Sequence, residues 1–217
     1  MKPKLIMMVI LCAIALGTYA QTEKGKGFAG GSFSFGTSKV KGESSALNNF
    51  VITPRIGYFL SNNFALGLEF PLTLSKLDGV DYTGWNEEGG YYENTSGFRE
   101  FNFGISTFAR KYFDIKDHWK LFGQANFTFQ IISTKLIDDE GYLIRNSGRL
   151  KGLGASISPG VAYFFSNKLG IEFSFPAVSF FHQSYYDANS NYNYPKTNNL
   201  HLALENFTPT FGINAYF

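Results

Sequence analysis

The sequence predicts an all-β chain that forms a transmembrane, antiparallel, up-and-down β-barrel of eight strands. Three observations predict it: apolar residues alternate with small or polar ones, the alternating segments are long, and short connections alternate with long ones. Successive side chains of a strand point to opposite faces. A tilted strand of about 10 residues crosses a bilayer, whereas strands of globular proteins average about 5–6 residues.

Two near-copies of one stretch anchor the prediction, residues 52–70 and residues 157–173. Pro54 matches Pro159 and Tyr58 matches Tyr163, and the short turns at 61–63 and 166–168 also match. Each copy has the pattern of an antiparallel hairpin.

The first copy shows the two faces of such a hairpin. Thr53, Arg55, Gly57 and Phe59 share one face of its first strand. The opposite face is apolar and holds Ile52, Pro54, Ile56, Tyr58 and Leu60. A soluble sandwich would bury the apolar face, whereas a membrane barrel turns it toward lipid and fills its interior with the other face. The alternation alone fits both.

Eight alternating segments lie at 26–38, 49–60, 64–76, 97–113, 119–134, 150–165, 169–182 and 198–217. Short turns are predicted at 61–63, 114–118 and 166–168, and long polar loops at 39–48, 77–96, 135–149 and 183–197. Short turns at one end and long loops at the other are typical of membrane barrels.

Residues 1–20 have the pattern of a cleaved signal peptide, which leaves residues 21–217 as the barrel domain. Lys2 and Lys4 precede an apolar run, and small residues lie before the predicted cleavage site after Ala20. Cys12, the only cysteine, lies inside this segment, so no disulfide is expected in the mature chain.

Charge and motifs exclude several functions. Without Lys2 and Lys4, the count of Lys and Arg falls from 19 to 17 and equals the 17 Asp and Glu, and no basic block predicts nucleic-acid binding. No apolar run after residue 20 is long enough for a membrane helix. His118, His182 and His201 lack the spacing of metal ligands, so neither a metal nor another cofactor is predicted.

The inward positions carry charges that predict a network filling the lumen. The predicted members are Arg55, Glu69, Glu100, Arg110 and Glu172, with Glu172 as the repeat equivalent of Glu69. An eight-stranded barrel has room for side chains only, and charges inside it need partners. A path for protons or ions is the alternative interpretation.

Four tyrosines and one tryptophan predict an aromatic girdle at the short-turn end of the barrel, facing the membrane interface. They are Tyr58, Tyr112, Tyr163, Tyr216 and Trp119.

The last strand changes face along its length. Phe211, Ile213 and Phe217 share one parity, whereas Leu200 and Leu202 have the other. A β-bulge or a change of pairing is therefore expected near 205–207.

The chain resembles the outer-membrane protein β-barrel domain family of Gram-negative bacteria, small barrels similar in build to OmpA and OmpX. The resemblance is carried by the pattern Pro-x-x-x-Tyr-Phe-x-Ser-Asn at 54–62 and 159–167, by residues 108–113 and by the terminal Phe217. It implies a location in the outer membrane with both termini in the periplasm. It also implies that Tyr216 and Phe217 are recognised by the barrel-assembly machinery.

We therefore expect a non-enzymatic barrel with a plugged lumen and a structural or surface-interaction role through its loops. Its expected partners are outer-membrane lipid, including lipopolysaccharide, and the assembly machinery; the sequence identifies no extracellular ligand. A narrow channel for small solutes is the first alternative. The second is a lipid A-modifying enzyme, because His182 and Ser184 are similar to the His-x-Ser pair of lipid A deacylases. Their parity predicts that both side chains point inward.

Overall fold

The computed structural model describes residues 22–39, 46–85, 91–138, 143–186, 197–202 and 209–217. These residues form eleven β-strands. The strands are β1 (Gly27–Lys39), β2 (Ala46–Ser61), β3 (Phe64–Glu69), β4 (Leu72–Trp85), β5 (Tyr91–Lys116), β6 (Trp119–Asp138), β7 (Leu143–Ser166), β8 (Leu169–Ser174), β9 (Val178–Tyr186), β10 (Thr197–Leu202) and β11 (Thr210–Tyr216). Within these ranges, no helix is long and apolar enough to span a membrane.

The strands close into a ring of eight passes of the chain along the barrel wall, which we call crossings. Every neighbouring pair of crossings is antiparallel. Three crossings are interrupted, so β3 with β4, β8 with β9 and β10 with β11 each count as one. Strand β11 pairs with β1, which joins Phe33 to Phe211 and Phe28 to Tyr216 and closes the ring. The predicted eight-stranded antiparallel barrel is confirmed.

The outer face of the ring is apolar and the inner face is small, polar or aromatic. On β2 and β3, Ile56 and Leu66 are exposed on the outside, whereas Arg55 and Ala65 are buried inside. The same division holds on β6, where Phe127 is exposed and Gln124 is buried. The predicted division of the two faces is therefore confirmed.

The strands extend well beyond the predicted segments, so the prediction of a loop over 77–96 is largely wrong. Strand β4 continues to Trp85 and β5 begins at Tyr91, and these two residues pair across the hairpin. Likewise, β6 continues to Asp138 and β7 begins at Leu143, both inside the loop predicted at 135–149. Gly, Asn and Asp in these stretches suggested loops, but an antiparallel ladder with solvent on its faces accepts polar residues.

Each short turn follows a one-residue irregularity in the preceding strand. The register shifts between Phe59 and Ser61 in β2, and equivalent shifts occur near the ends of β5 and β7. Asn63 and His118 close two of these turns with positive φ angles of 64° and 69°. Asparagine tolerates this left-handed conformation better than most residues.

Phe-Pro dipeptides interrupt two crossings with different results. At Phe70-Pro71 the register is kept, since Arg55 pairs with Glu69 and Ile52 with Leu72, three residues along on each strand. At Phe175-Pro176 the pairing register is not kept. Pairing moves from Gly160–Ser174 to Ile157–Val178, three residues on β7 against four on the facing crossing. Because of this extra residue, even-numbered side chains point inward on β8 but outward on β9.

The crossing formed by β10 and β11 also changes register. Leu202 pairs with Val178 and Thr210 with Ser174, eight residues on one crossing against four on the other. Leu200 and Phe211 are both exposed on the outer face, although their parities differ. The bulge predicted near 205–207 itself lies outside the described residues.

Candidate functional site

Four charged side chains meet inside the barrel near its short-turn end. Arg55 comes from β2, Glu69 from β3, Arg110 from β5 and Glu172 from β8. Each is less than a tenth exposed. Two positive and two negative groups make the set neutral, which a low-dielectric interior requires.

Glu172 is the centre of this set. Its Oε1 accepts a hydrogen bond from Arg110 Nη1 at 2.6 Å, and its Oε2 accepts one from Arg55 Nη1 at 2.9 Å. The hydroxyls of Tyr112 and Tyr216 donate to Oε1 at 3.1 Å and 3.2 Å. Four donors from three different strands, β2, β5 and β11, therefore converge on one carboxylate.

Arg55 joins Glu172 to its own hairpin. Its Nη2 donates to Ser32 Oγ at 2.7 Å on β1. Its Nε lies 3.1 Å from Glu69 Oε1, an ion pair whose geometry falls short of a hydrogen bond. Glu69 is therefore held less directly by Arg55 than Glu172 is.

Two amides connect the remaining charges. Arg110 Nε donates to Gln124 Oε1 at 2.6 Å, and Gln124 Nε2 donates to Glu69 Oε1 at 3.0 Å. Asn126 Nδ2 donates to the other oxygen of Glu69 at 2.6 Å. We call these six residues the lumen network: Arg55, Glu69, Arg110, Gln124, Asn126 and Glu172.

A buried aromatic layer packs against the lumen network inside the barrel. It consists of Phe28, Phe59, Phe108, Tyr112, Phe122, Phe164 and Tyr216, with Ala65 and Ala162 between the rings. The guanidinium of Arg110 lies over the Phe122 ring, 4.4 Å from its centroid, which adds a cation–π contact. Arginine thus links the charged layer to the aromatic layer.

Small residues on the wall make room for these rings. A Cβ at Gly67 would lie 2.4 Å from Cζ of Phe108, and one at Gly160 would lie 2.3 Å from Cζ of Phe122. Each distance is well below van der Waals contact. The rings therefore press directly against the backbone of the wall, next to the charged side chains of the lumen network.

The structure brings together four of the five residues predicted for the lumen network. Glu100 lies apart: it is half-buried, and it accepts a long hydrogen bond of 3.4 Å from Thr134 Oγ1. The predicted equivalence of Glu172 and Glu69 is also wrong. Glu69 pairs with Arg55, whereas Glu172 pairs with Ala162 and so lies two residues closer to its turn.

The predicted aromatic girdle is wrong for two of its tyrosines. Tyr112 and Tyr216 are only 1% exposed and point into the lumen. Tyr112 has the parity of Arg110, and this signal could have identified it from the sequence. Tyr58 is exposed on the outer face, and the rings of Trp119 and Tyr163 pack 4.7 Å apart.

Phe217 lies outside the barrel wall, whereas its neighbour Tyr216 lies inside. Phe217 is 44% exposed, and its ring covers Gly27, where a Cβ would lie 2.7 Å from Cε2. The recognition of Tyr216 and Phe217 by the assembly machinery stays a prediction.

His182 and Ser184 lie on the outer face, so the predicted inward orientation is wrong. His182 pairs with Leu153 and Ser184 with Lys151, and both partners are exposed on the outside. The extra residue near Pro176 reverses their parity. His182 Nδ1 lies 2.6 Å from Asn198 Oδ1, and no hydrogen bond between described residues joins His182 to Ser184. The described residues also contain no cluster of His, Cys, Asp and Glu suited to a metal.

Several solved structures are similar in fold. The outer membrane protein OprG from Pseudomonas aeruginosa is 10% identical, with 92% of this chain and 99% of OprG covered and a TM-score of 0.50. Neisserial surface protein A is 16% identical, with 89% and 98% covered and a TM-score of 0.40. A major outer membrane protein from Thermus thermophilus is 13% identical, with 88% and 99% covered and a TM-score of 0.45.

Comparison of the sequence with family models agrees with this fold, whereas a search of curated proteins finds no match. The family model described as outer membrane protein beta-barrel domain matches residues 6–205, which is most of the chain. The chain therefore belongs to the outer membrane protein β-barrel domain family.

Proposed function

We propose that this protein is a closed, non-conducting barrel that anchors a surface-interaction function carried by its long hairpins. The observation that carries the proposal is the convergence of Arg55, Arg110, Tyr112 and Tyr216 on Glu172 inside the barrel near its short-turn end. A solute would have to pass both this layer and the aromatic layer. A channel for small solutes needs a continuous polar path, and these contacts argue against one.

The energetics of the lumen network support closure. Removing one partner of a buried ion pair costs about 3–5 kcal/mol, because the other charge stays buried. Arg110 and Glu172 are both almost fully buried. Thermal opening of this layer would break their pair, so an open state would be rare.

The asymmetry of the connections supports an orientation. Strands β4 and β5 extend to Trp85 and Tyr91 at one end, whereas turns such as Asn62–Asn63 close the other end. Short periplasmic turns and long extracellular connections are the rule in bacterial outer-membrane barrels. In the proposed orientation the long hairpins are extracellular, and the first residues of β1 and the last residues of β11 face the periplasm.

Planar-bilayer recording tests the closed lumen. The wild-type protein should show no steady conductance. A variant with both layers opened, in which Arg110, Glu172, Phe108 and Phe122 are all replaced by alanine, should show openings if it still folds, which a heat-dependent gel shift would establish. Steady, reproducible open channels of the wild-type protein would support the solute-channel alternative instead.

Hairpin shortening tests the surface role. Deletion of residues 80–95 removes the outer part of β4 and β5 and leaves the lumen network in place. Adhesion of cells to host or bacterial surfaces should fall while the barrel still folds. Unchanged adhesion would contradict a surface role for this hairpin.

We also infer that the protein is not an enzyme. The missing hydrogen bond between His182 and Ser184 supports this inference. Overexpression of wild-type protein and of His182→Ala with Ser184→Ala should leave the mass spectrum of lipid A identical. Loss of an acyl chain with wild-type protein alone would establish a lipid A-modifying enzyme.

A further inference from the structure

The outer face changes from apolar to basic at the loop end of several adjacent strands. On β4, Leu74 is followed by Lys76, and on β5, Phe101 is followed toward the loop end by Arg99. On β6, Lys135 occupies the same place, and all three basic side chains are exposed. Each strand thus leaves the apolar part of the wall at a basic residue. Strand β7 shows the same change from Leu153 to Lys151.

The basic residues on β4, β5 and β6 lie directly opposite one another. Lys76 pairs with Arg99, and Arg99 pairs with Lys135. Cross-strand partners on one face have Cβ atoms about 5 Å apart, and like charges in such pairs are destabilising. Neither Arg99 nor Lys135 forms an ion pair with another described residue. An anion from outside the chain would relieve this repulsion.

A groove on the outer wall joins the basic residues to the apolar surface beside them. It has a volume of about 750 Å³. Its apolar part is lined by Phe35, Phe50, Leu74 and Phe101, and its basic part by Lys76, Arg99 and Lys135. The amphipathic lining matches a lipid, because acyl chains suit the first part and an anionic headgroup suits the second.

We propose that Arg99 and Lys135, flanked by Lys76, bind a phosphate of the lipid A moiety of lipopolysaccharide, with acyl chains along Phe50, Leu74 and Phe101. Guanidinium groups bind phosphate through paired hydrogen bonds, and a lysine contributes a point charge. The choice of lipid A rests on the proposed orientation, which places this end of the barrel in the outer leaflet.

Titration of the detergent-solubilised full chain with phosphorylated lipid A tests the site. Each cation near a charged membrane surface contributes about a fivefold factor in affinity, so Arg99→Gln with Lys135→Gln should weaken binding about 30-fold. The matched control, Lys111→Gln with Lys116→Gln, removes the same charge from the short-turn end of β5. It should bind as the wild-type protein does, and a heat-dependent gel shift checks that every variant folds.

Dephosphorylated lipid A identifies the group that is bound. It should bind the wild-type protein about 30-fold more weakly than phosphorylated lipid A, and the double variant should show no further loss. An equal loss of affinity for phosphorylated lipid A in the Arg99/Lys135 double variant and in the Lys111/Lys116 control would overturn the proposal. Unchanged affinity in both variants would also overturn it. Competition by equimolar inorganic phosphate would overturn it in favour of a free-anion site. This assay does not depend on orientation, so its failure is distinct from failure of the proposed function.

Discussion

The two hairpins with a similar sequence pattern place their charges in different rows of the barrel wall. In the first, Arg55 pairs with Glu69, and the row nearer the turn pairs Gly57 with Gly67. In the second, the row nearer the turn pairs Ala162 with Glu172, and the next pairs Gly160 with Ser174. Where one hairpin has a charge, the other has small residues.

This staggering lets side chains of both hairpins share one narrow lumen. The glycine row of the first hairpin accepts the rings of Phe28 and Phe108, and Gly160 of the second accepts the ring of Phe122. The displaced carboxylate of Glu172 reaches both Arg55 and Arg110. Two hairpins with one sequence pattern thus have complementary inner surfaces.

The largest expected effect comes from the unequal roles of the two carboxylates. Glu172→Gln leaves Arg110 buried without its counter-charge and should lower the free energy of unfolding by about 3–5 kcal/mol. Glu69→Gln should cost only about 1–3 kcal/mol, since Arg55 keeps Glu172 and Gln124 can reorient. Urea unfolding in lipid vesicles, followed by tryptophan fluorescence, measures both. Equal costs would contradict the central place of Glu172.

The next largest effect concerns the glycine row. Gly57→Ala places in the first hairpin the alanine that the second hairpin has at the equivalent position, Ala162. The new Cβ would lie 2.4 Å from Cε1 of Phe28. Such overpacking should lower the free energy of unfolding by about 1–3 kcal/mol. The control is Gly123→Ala, which meets no atom within 4 Å and should cost close to nothing. The reverse change, Ala162→Gly, should cost about 0.5–1 kcal/mol. If Gly57→Ala matched the control, the close ring contact would be refuted.

A smaller effect separates inward from outward tyrosines. Tyr112→Phe and Tyr216→Phe each remove one hydrogen bond to a buried carboxylate and should cost about 1.5 kcal/mol. Tyr58→Phe on the outer face of the first hairpin should change the free energy of unfolding by less than about 0.5 kcal/mol. The same unfolding assay compares them. An equal cost at Tyr58 would favour a girdle over a lumen role.

The alternation of residue types, together with the length of the segments and the order of short and long connections, was sufficient to predict the ring and the division of its faces. It placed Arg55, Glu69, Arg110 and Glu172 inside because each lies on an uninterrupted stretch of strand. It failed for His182 and Ser184, where one additional residue near Pro176 reverses the faces. Proline removes a backbone donor and marks such sites, but Pro71 interrupts a strand without any shift.

Two other features depend on long-range geometry that a local pattern does not encode. The displacement of Glu172 toward its turn follows from a return strand in which the carboxylate comes two residues earlier than Glu69 does in the first hairpin. Matching the copies by residue type hid this difference. The length of β5 was missed because a ladder can continue through Asn, Gly and Asp once its partner strand is in place.

The accessibility of outer positions to oxygen and to a water-soluble nickel chelate tests the central claim most directly. Spin labels would be attached at Leu66→Cys and Ile171→Cys, one on each hairpin, in a chain with Cys12 replaced by serine. In lipid vesicles both labels should collide mainly with oxygen, which concentrates in hydrocarbon, whereas a label at Lys116→Cys should collide mainly with the chelate. Protection from both reagents at positions 66 and 171 would mean that these residues are packed inside protein, which would contradict an apolar wall facing lipid.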